Sequence, residues 1–207
     1  MKGMKINCFI TLGVVISLLS LLQCKSAVEV PGVNNGNWES LSIPVGQTVT
    51  ADGVAANGEW AGAKKIVLDI PGRNSAEFLL KHDHQNLMIL FYPNNPDASD
   101  VLFPEILIDP GDDKSAAWLG DDRWFHVSGS DCDAKGAPDR YDNCQVHQED
   151  WTAEPNYPTD SAGTVDCIEI VIPFTKAGIS PAGSFGLALC VTGAPGFFRA
   201  WPEGASK

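Results

Sequence analysis

The stretch from Glu105 to Val127 reads E-I-L-I-D-P-G-D-D-K-S-A-A-W-L-G-D-D-R-W-F-H-V. Two short apolar runs, Ile106 to Ile108 and Trp124 to Val127, flank a polar loop. Each run is too short for a stable helix and is bounded by turn-forming residues, which predicts two strands. The loop between them carries Asp109, Asp112, Asp113, Asp121 and Asp122, with Trp118 and Trp124 on either side of the second acidic pair. Clustered carboxylates beside indoles suit a hard cation, a sugar-stacking surface or plain solvation.

The same spacing of short strands continues in both directions. Upstream, strands are predicted near Glu39 to Ile43, Thr48 to Thr50, Lys65 to Ile70, Glu77 to His82 and Leu87 to Tyr92. The Asp52-Gly53 and Pro71-Gly72 pairs punctuate them as turns. Asp52 is read as a turn cap and Trp60 as a packing anchor for its loop. Downstream, Ser128 to Ala162 is rich in Asp, Gly and Pro and offers few regular signals. Val165 to Phe174 is the clearest strand, with Ile168, Ile170 and Ile172 alternating. Thr175 to Ile179 reads as a helical turn, and Phe185 to Thr192 and Phe197 to Trp201 as the last strands. Eight or nine short strands without a long helix predict an all-β, antiparallel, jelly-roll-like β-sandwich.

The amino terminus is of another kind. Lys2 and Lys5 precede an almost wholly apolar run, Ile10 to Leu22, which is short for a membrane span and laid out like an export signal. It ends Leu21-Leu22-Gln23-Cys24, which resembles the lipobox of bacterial lipoproteins, with Cys24 as the acylated residue. An ordinary secretory signal cut near Ser26 and a retained anchor remain open. The predicted organisation is a signal peptide over 1–23, a lipid-anchored tether over 24–45 and a domain over 46–207. The expected location is the bacterial cell envelope, at the outer membrane or cell surface.

Composition narrows the partners. The 207 residues carry a formal charge of −12, and removing Lys2 and Lys5 takes it to −14. Such a surface repels nucleic acid. Membrane association is expected only through the lipid. Of six cysteines, Cys8 and Cys24 lie in the leader. The remaining four, Cys132, Cys144, Cys167 and Cys190, predict two disulfides in an exported chain. Cys132 with Cys144 and Cys167 with Cys190 is the favoured pairing. A zinc site is the rival, without a close Cys-x-x-Cys pair to support it.

Calcium takes six to eight oxygens from carboxylates, carbonyls and water. A strand end and a loop rich in aspartate can supply them, which makes Asp109, Asp112, Asp113 and Asp122 candidate calcium ligands. Trp118, Trp151, Tyr157 and Trp201 are candidate sugar platforms, because the C–H face of a pyranose packs on an aromatic ring. Trp124 falls in a strand and reads as core. No G-x-S-x-G, H-E-x-x-H or phosphate-cradling glycine loop is present, and no carboxylate pair is marked out for glycoside hydrolysis. His82 and His84 sit at a predicted turn.

The landmarks follow an order. Asp52-Gly53 is followed by Glu59-Trp60, then by Ile108-Asp109-Pro110, then by Glu169 with Ile172-Pro173, and finally by Trp201-Pro202. This order, over roughly Thr48 to Glu203, resembles the family 9 carbohydrate-binding modules and the wider DOMON-like sandwiches. The resemblance implies a non-catalytic β-sandwich that binds a glycan or polysaccharide, with calcium as a structural ion. Two further readings stand beside it. One is a surface lipoprotein that contacts a protein partner and no sugar. The other follows DOMON domains that bind haem b through Met and His, here Met88 and His126, for electron transfer.

Overall fold

The structure is a computed structural model, and it describes residues 40–70, 75–94, 102–113, 119–127, 131–136, 150–156, 166–193 and 197–202. They form two five-stranded antiparallel sheets. The first contains β1 (Lys64–Asp69), β2 (Ser75–His82), β3 (Asn86–Asn94), β8 (Cys167–Pro173) and β7 (Thr152–Asn156), in the order β1-β2-β3-β8-β7. The second contains β10 (Phe197–Trp201), β9 (Gly186–Gly193), β4 (Leu102–Asp109), β5 (Arg123–His126) and β6 (Cys132–Lys135), in the order β10-β9-β4-β5-β6. One short helix, α1 (Phe174–Ala177), follows β8. Gly178 closes it in the left-handed region at φ 75°, where a Cβ is disfavoured. The expected antiparallel all-β architecture is the one observed.

Alternation sets the inner faces. Ile168, Ile170 and Ile172 of β8 meet Leu87, Ile89 and Phe91 of β3 and Phe78 and Leu80 of β2. Ile106, Ile108, Phe125, Leu189 and Val191 face them from the second sheet. Burying each such side chain stabilises the fold by roughly 1.5–3 kcal/mol. β3 is apolar without alternation because both of its faces are covered. Met88 and Leu90 point outward and pack under Val49 and Trp60.

That outward cluster is fastened by one carboxylate. Glu169 is wholly buried. It accepts hydrogen bonds from the Trp60 indole at 3.0 Å and from the backbone N–H groups of Asp52 and Gly53, both at 3.1 Å. Burial raises its pKa, while the Trp60 and Asp52 hydrogen bonds act to lower it. Asp52 caps its own turn, its Oδ1 accepting from the Val54 N–H at 2.9 Å. Three landmarks far apart in sequence therefore close one loop over the first sheet. A parallel device occurs on the other outer face. Buried Glu105 accepts from the Trp124 indole at 2.9 Å, and His126 stacks on that indole with ring centroids 5.3 Å apart.

Three expectations change. The predicted strands at 39–43 and 48–50 are not strands over their described residues, the nearest pairing being a single parallel bridge, Val45 to His82. Two strands, β6 and β7, lie instead within 128–162, read as irregular because they are short and flanked by Asp, Gly and Pro. Residues 40–45, assigned to the tether, belong to the sandwich. Leu41 and Ile43 pack against the core, and the Pro44 carbonyl accepts the His82 N–H at 3.0 Å.

The cysteine pairing also needs correction. Cys167 lies on the outer face of the first sheet, with Met88 and Leu90, and Cys190 on the outer face of the second, with Leu107 and Trp124. The sandwich core separates them, and they form no disulfide. Cys132 is disulfide-bonded; Cys144, its expected partner, lies outside the described residues, as do Cys24 and the whole of 1–39.

Candidate functional site

At one end of the sandwich the strand ends of both sheets part around a cleft of about 400 Å³. His82 and Leu87 line it from the β2–β3 turn, and Phe174 from the start of α1. Asp112 enters from the loop after β4. Phe185, Gly186 and Leu187 form the wall at the start of β9, and Trp201 the wall at the end of β10. Ser40 and Ser42 contribute hydroxyls from the amino-terminal segment, and Ser180 and Ser184 from the loop before β9.

Local structure fixes several of these groups. His82 packs its ring on Phe174, with centroids 5.8 Å apart, and its Nδ1 accepts the His84 N–H at 3.3 Å. An accepting Nδ1 carries no proton, so the neutral ring presents Nε2–H as a donor. The turn beside it is held by Asp83, whose carboxylate accepts from Thr48 Oγ1, the Asn86 side chain and the backbone N–H groups of Gln85 and Asn86. Gly186 is required by close approach. A Cβ there would lie 2.9 Å from the Cβ of Asp109 and 3.2 Å from its Oδ2. The Trp201-Pro202 peptide is cis.

The acidic loop borders this cleft. Around Gly111, the carboxylates of Asp121, Asp109 and Asp113 all lie within 4 Å of the point a Cβ would occupy. Asp122 accepts the Leu119 N–H at 2.6 Å. Burial and the neighbouring charges of Asp109, Asp121 and Asp113 raise the pKa of Asp122, against the lowering by the Leu119 bond. Among the described residues no group of three or more His, Cys, Asp or Glu side chains is arranged to hold a metal ion. The expected calcium ligands Asp109, Asp112, Asp113 and Asp122 crowd one another without forming a clamp.

The predicted sugar platforms separate. Trp201 lines the cleft, half-buried. Trp151 does not: it is 5 % exposed, sits edge-on to Phe125 and donates its indole N–H to Asp133 Oδ1 at 2.9 Å. It is core, because β7 draws it inward. Trp118 and Tyr157 lie outside the described residues. The haem pair fails on geometry. Met88 faces outward from the first sheet, its sulfur accepting the Val49 N–H at 3.2 Å, while His126 faces outward from the second. One iron cannot reach both.

Sequence reading missed the serines, Phe174, Phe185 and the cleft role of His82. Isolated serines carry no signal of their own. The apolar Leu41 and Ile43 between polar neighbours were the available sign that the amino-terminal segment is packed rather than solvated.

No protein-family model matches the chain, and no curated protein matches it in sequence. Two solved structures are similar to it, both of a carbohydrate binding module family 9 (CBM9) from Caldicellulosiruptor kristjanssonii, one in complex with glucose and one with cellotriose. Each is 18 % identical with a TM-score of 0.49 and covers 72 % of this chain, and the match spans 75 % and 74 % of the respective neighbour. The sandwich assignment for this chain rests on its own strand pairing.

Proposed function

We propose that the domain binds a carbohydrate in the end cleft and does not turn it over. The observation that carries this reading is the composition of the cleft. A half-buried indole, Trp201, and the Phe185 ring share about 400 Å³ with serine hydroxyls, the His82 Nε2–H donor and the Asp112 carboxylate. Apolar faces with a few convergent polar groups are what a sugar needs. The described lining holds a single carboxylate, whereas glycoside hydrolysis uses two placed across the bond. Calorimetric titration with a panel of soluble oligosaccharides, cellotriose included, tests it. Binding by at least one member, weakened about tenfold or more in Trp201→Ala with the fold retained, is the expected result. Heat-silent titrations across the panel end this reading.

The second part of the proposal is export and anchoring through Cys24. It is supported by the charged start, the apolar run and Leu21-Leu22-Gln23-Cys24. Acyl chains would hold the protein on a membrane with roughly 0.8 kcal/mol per buried methylene. Cys24→Ala should move the protein from the membrane to the soluble fraction. Mass spectrometry of the mature amino terminus checks the acylation directly.

A further inference from the structure

We infer that the cleft selects its sugar by charge, taking a unit that bears a protonated amine ahead of its neutral counterpart and rejecting acidic sugars. This rests on the carbohydrate reading above. The described lining residues include Asp112 and no Lys or Arg. Asp109 stands directly behind Gly186, whose missing side chain leaves only backbone between that carboxylate and the cavity. Asp113 and Asp121 gather on the far side of Gly111.

The nearby cations are held elsewhere. Arg123 donates through Nη1 to the carbonyls of Asp121 and Asp122, at 2.9 and 3.3 Å, and through Nε to the Lys176 carbonyl at 3.1 Å. Lys176 pairs with Asp133 at 2.9 Å. Lys81 lies on the outer face of the first sheet, its Nζ donating to the Glu59 carbonyl at 2.7 Å. His82, with its Nδ1 accepting, enters as a neutral donor. A sugar carboxylate would therefore lose water without meeting a cation, which is costly. A sugar ammonium would enter a field already negative, and apolar walls strengthen that field.

The test uses the full chain and a matched set of oligosaccharides that differ at one position, as amine, N-acetyl, hydroxyl or carboxylate. Calorimetry at low salt, at a pH where the amine is protonated, should find the amine about tenfold tighter than the hydroxyl form and the carboxylate weakest. Raising the salt should close the gap, because charges beyond about 8–10 Å are screened. Asp112→Asn should narrow the amine-to-hydroxyl ratio. Asp112 has φ 50°, a conformation asparagine also tolerates, so the variant keeps the loop. Equal affinities for amine and hydroxyl, or a carboxylate that binds as well as either, overturn the inference while leaving a Trp201-dependent sugar site intact. If no member binds, or if binding survives Trp201→Ala, the sugar reading falls and the charge selection with it.

Discussion

Asp83 and Asp122 are both loop aspartates, yet their surroundings push them in opposite directions. Burial acts to raise the Asp83 pKa, but the hydrogen bonds from Asn86, Thr48 and the backbone of Gln85 and Asn86 outweigh it and bring it to about 2. A depressed folded pKa contributes stability above the unfolded value of about 3.9, and that stability is lost as pH falls toward 2. Denaturant melts of wild type and Asp83→Ala should thus differ by about 1–3 kcal/mol at neutral pH and converge between pH 4 and about 2. Asp122 is the reverse case. Its folded pKa is raised, so its ionisation opposes folding as pH climbs past the unfolded value. Asp122→Asn keeps an oxygen for the Leu119 N–H and removes a charge from the crowd. It should stabilise the domain at neutral pH by up to about 1 kcal/mol, and the gain should vanish in acid.

Among the elements, β7 teaches most about what sequence patterns carry. Trp151 and Ala153 turn inward from it and Glu154 outward, a correct alternation hidden by the Asp-, Gly- and Pro-rich segment around it. Trp151 therefore acts in packing, and Trp151→Ala should cost about 3–5 kcal/mol in a denaturant melt. Sugar affinity per folded molecule should stay unchanged in that variant; an affinity loss without a stability loss would return Trp151 to the binding surface. Strands with long apolar alternation, β8 above all, were legible because period 2 over seven residues has few other readings. The cleft was legible in part. Trp201 and Asp112 stood out as residue types, but the serines, Phe174 and His82 become a site only when strand ends from two sheets meet. Spacing along the chain holds no record of that meeting. The landmarks around Glu169 were visible as motifs, and their hydrogen bonds show them to be a fastening of the fold rather than a binding constellation.

For the molecule as a whole, the boundary between tether and domain matters most. A chain beginning at Gly46 would retain every named strand, yet it would lack Ser40 to Ile43 in the cleft wall. Such a chain should fold and show weaker sugar binding than one beginning at Ser40, with calorimetry and melting measured side by side. Equal affinity in the two would place the ligand elsewhere. The segment is joined to the sandwich at His82, through the Pro44 carbonyl and through the Gly46 N–H, which donates to the His82 carbonyl at 2.8 Å. Any tension on the chain ahead of Ser40 reaches this short seam before it reaches a sheet. A molecule held by its amino terminus and pulled by a captured polymer would open one side of its own grip first, releasing the load while both sheets stay folded.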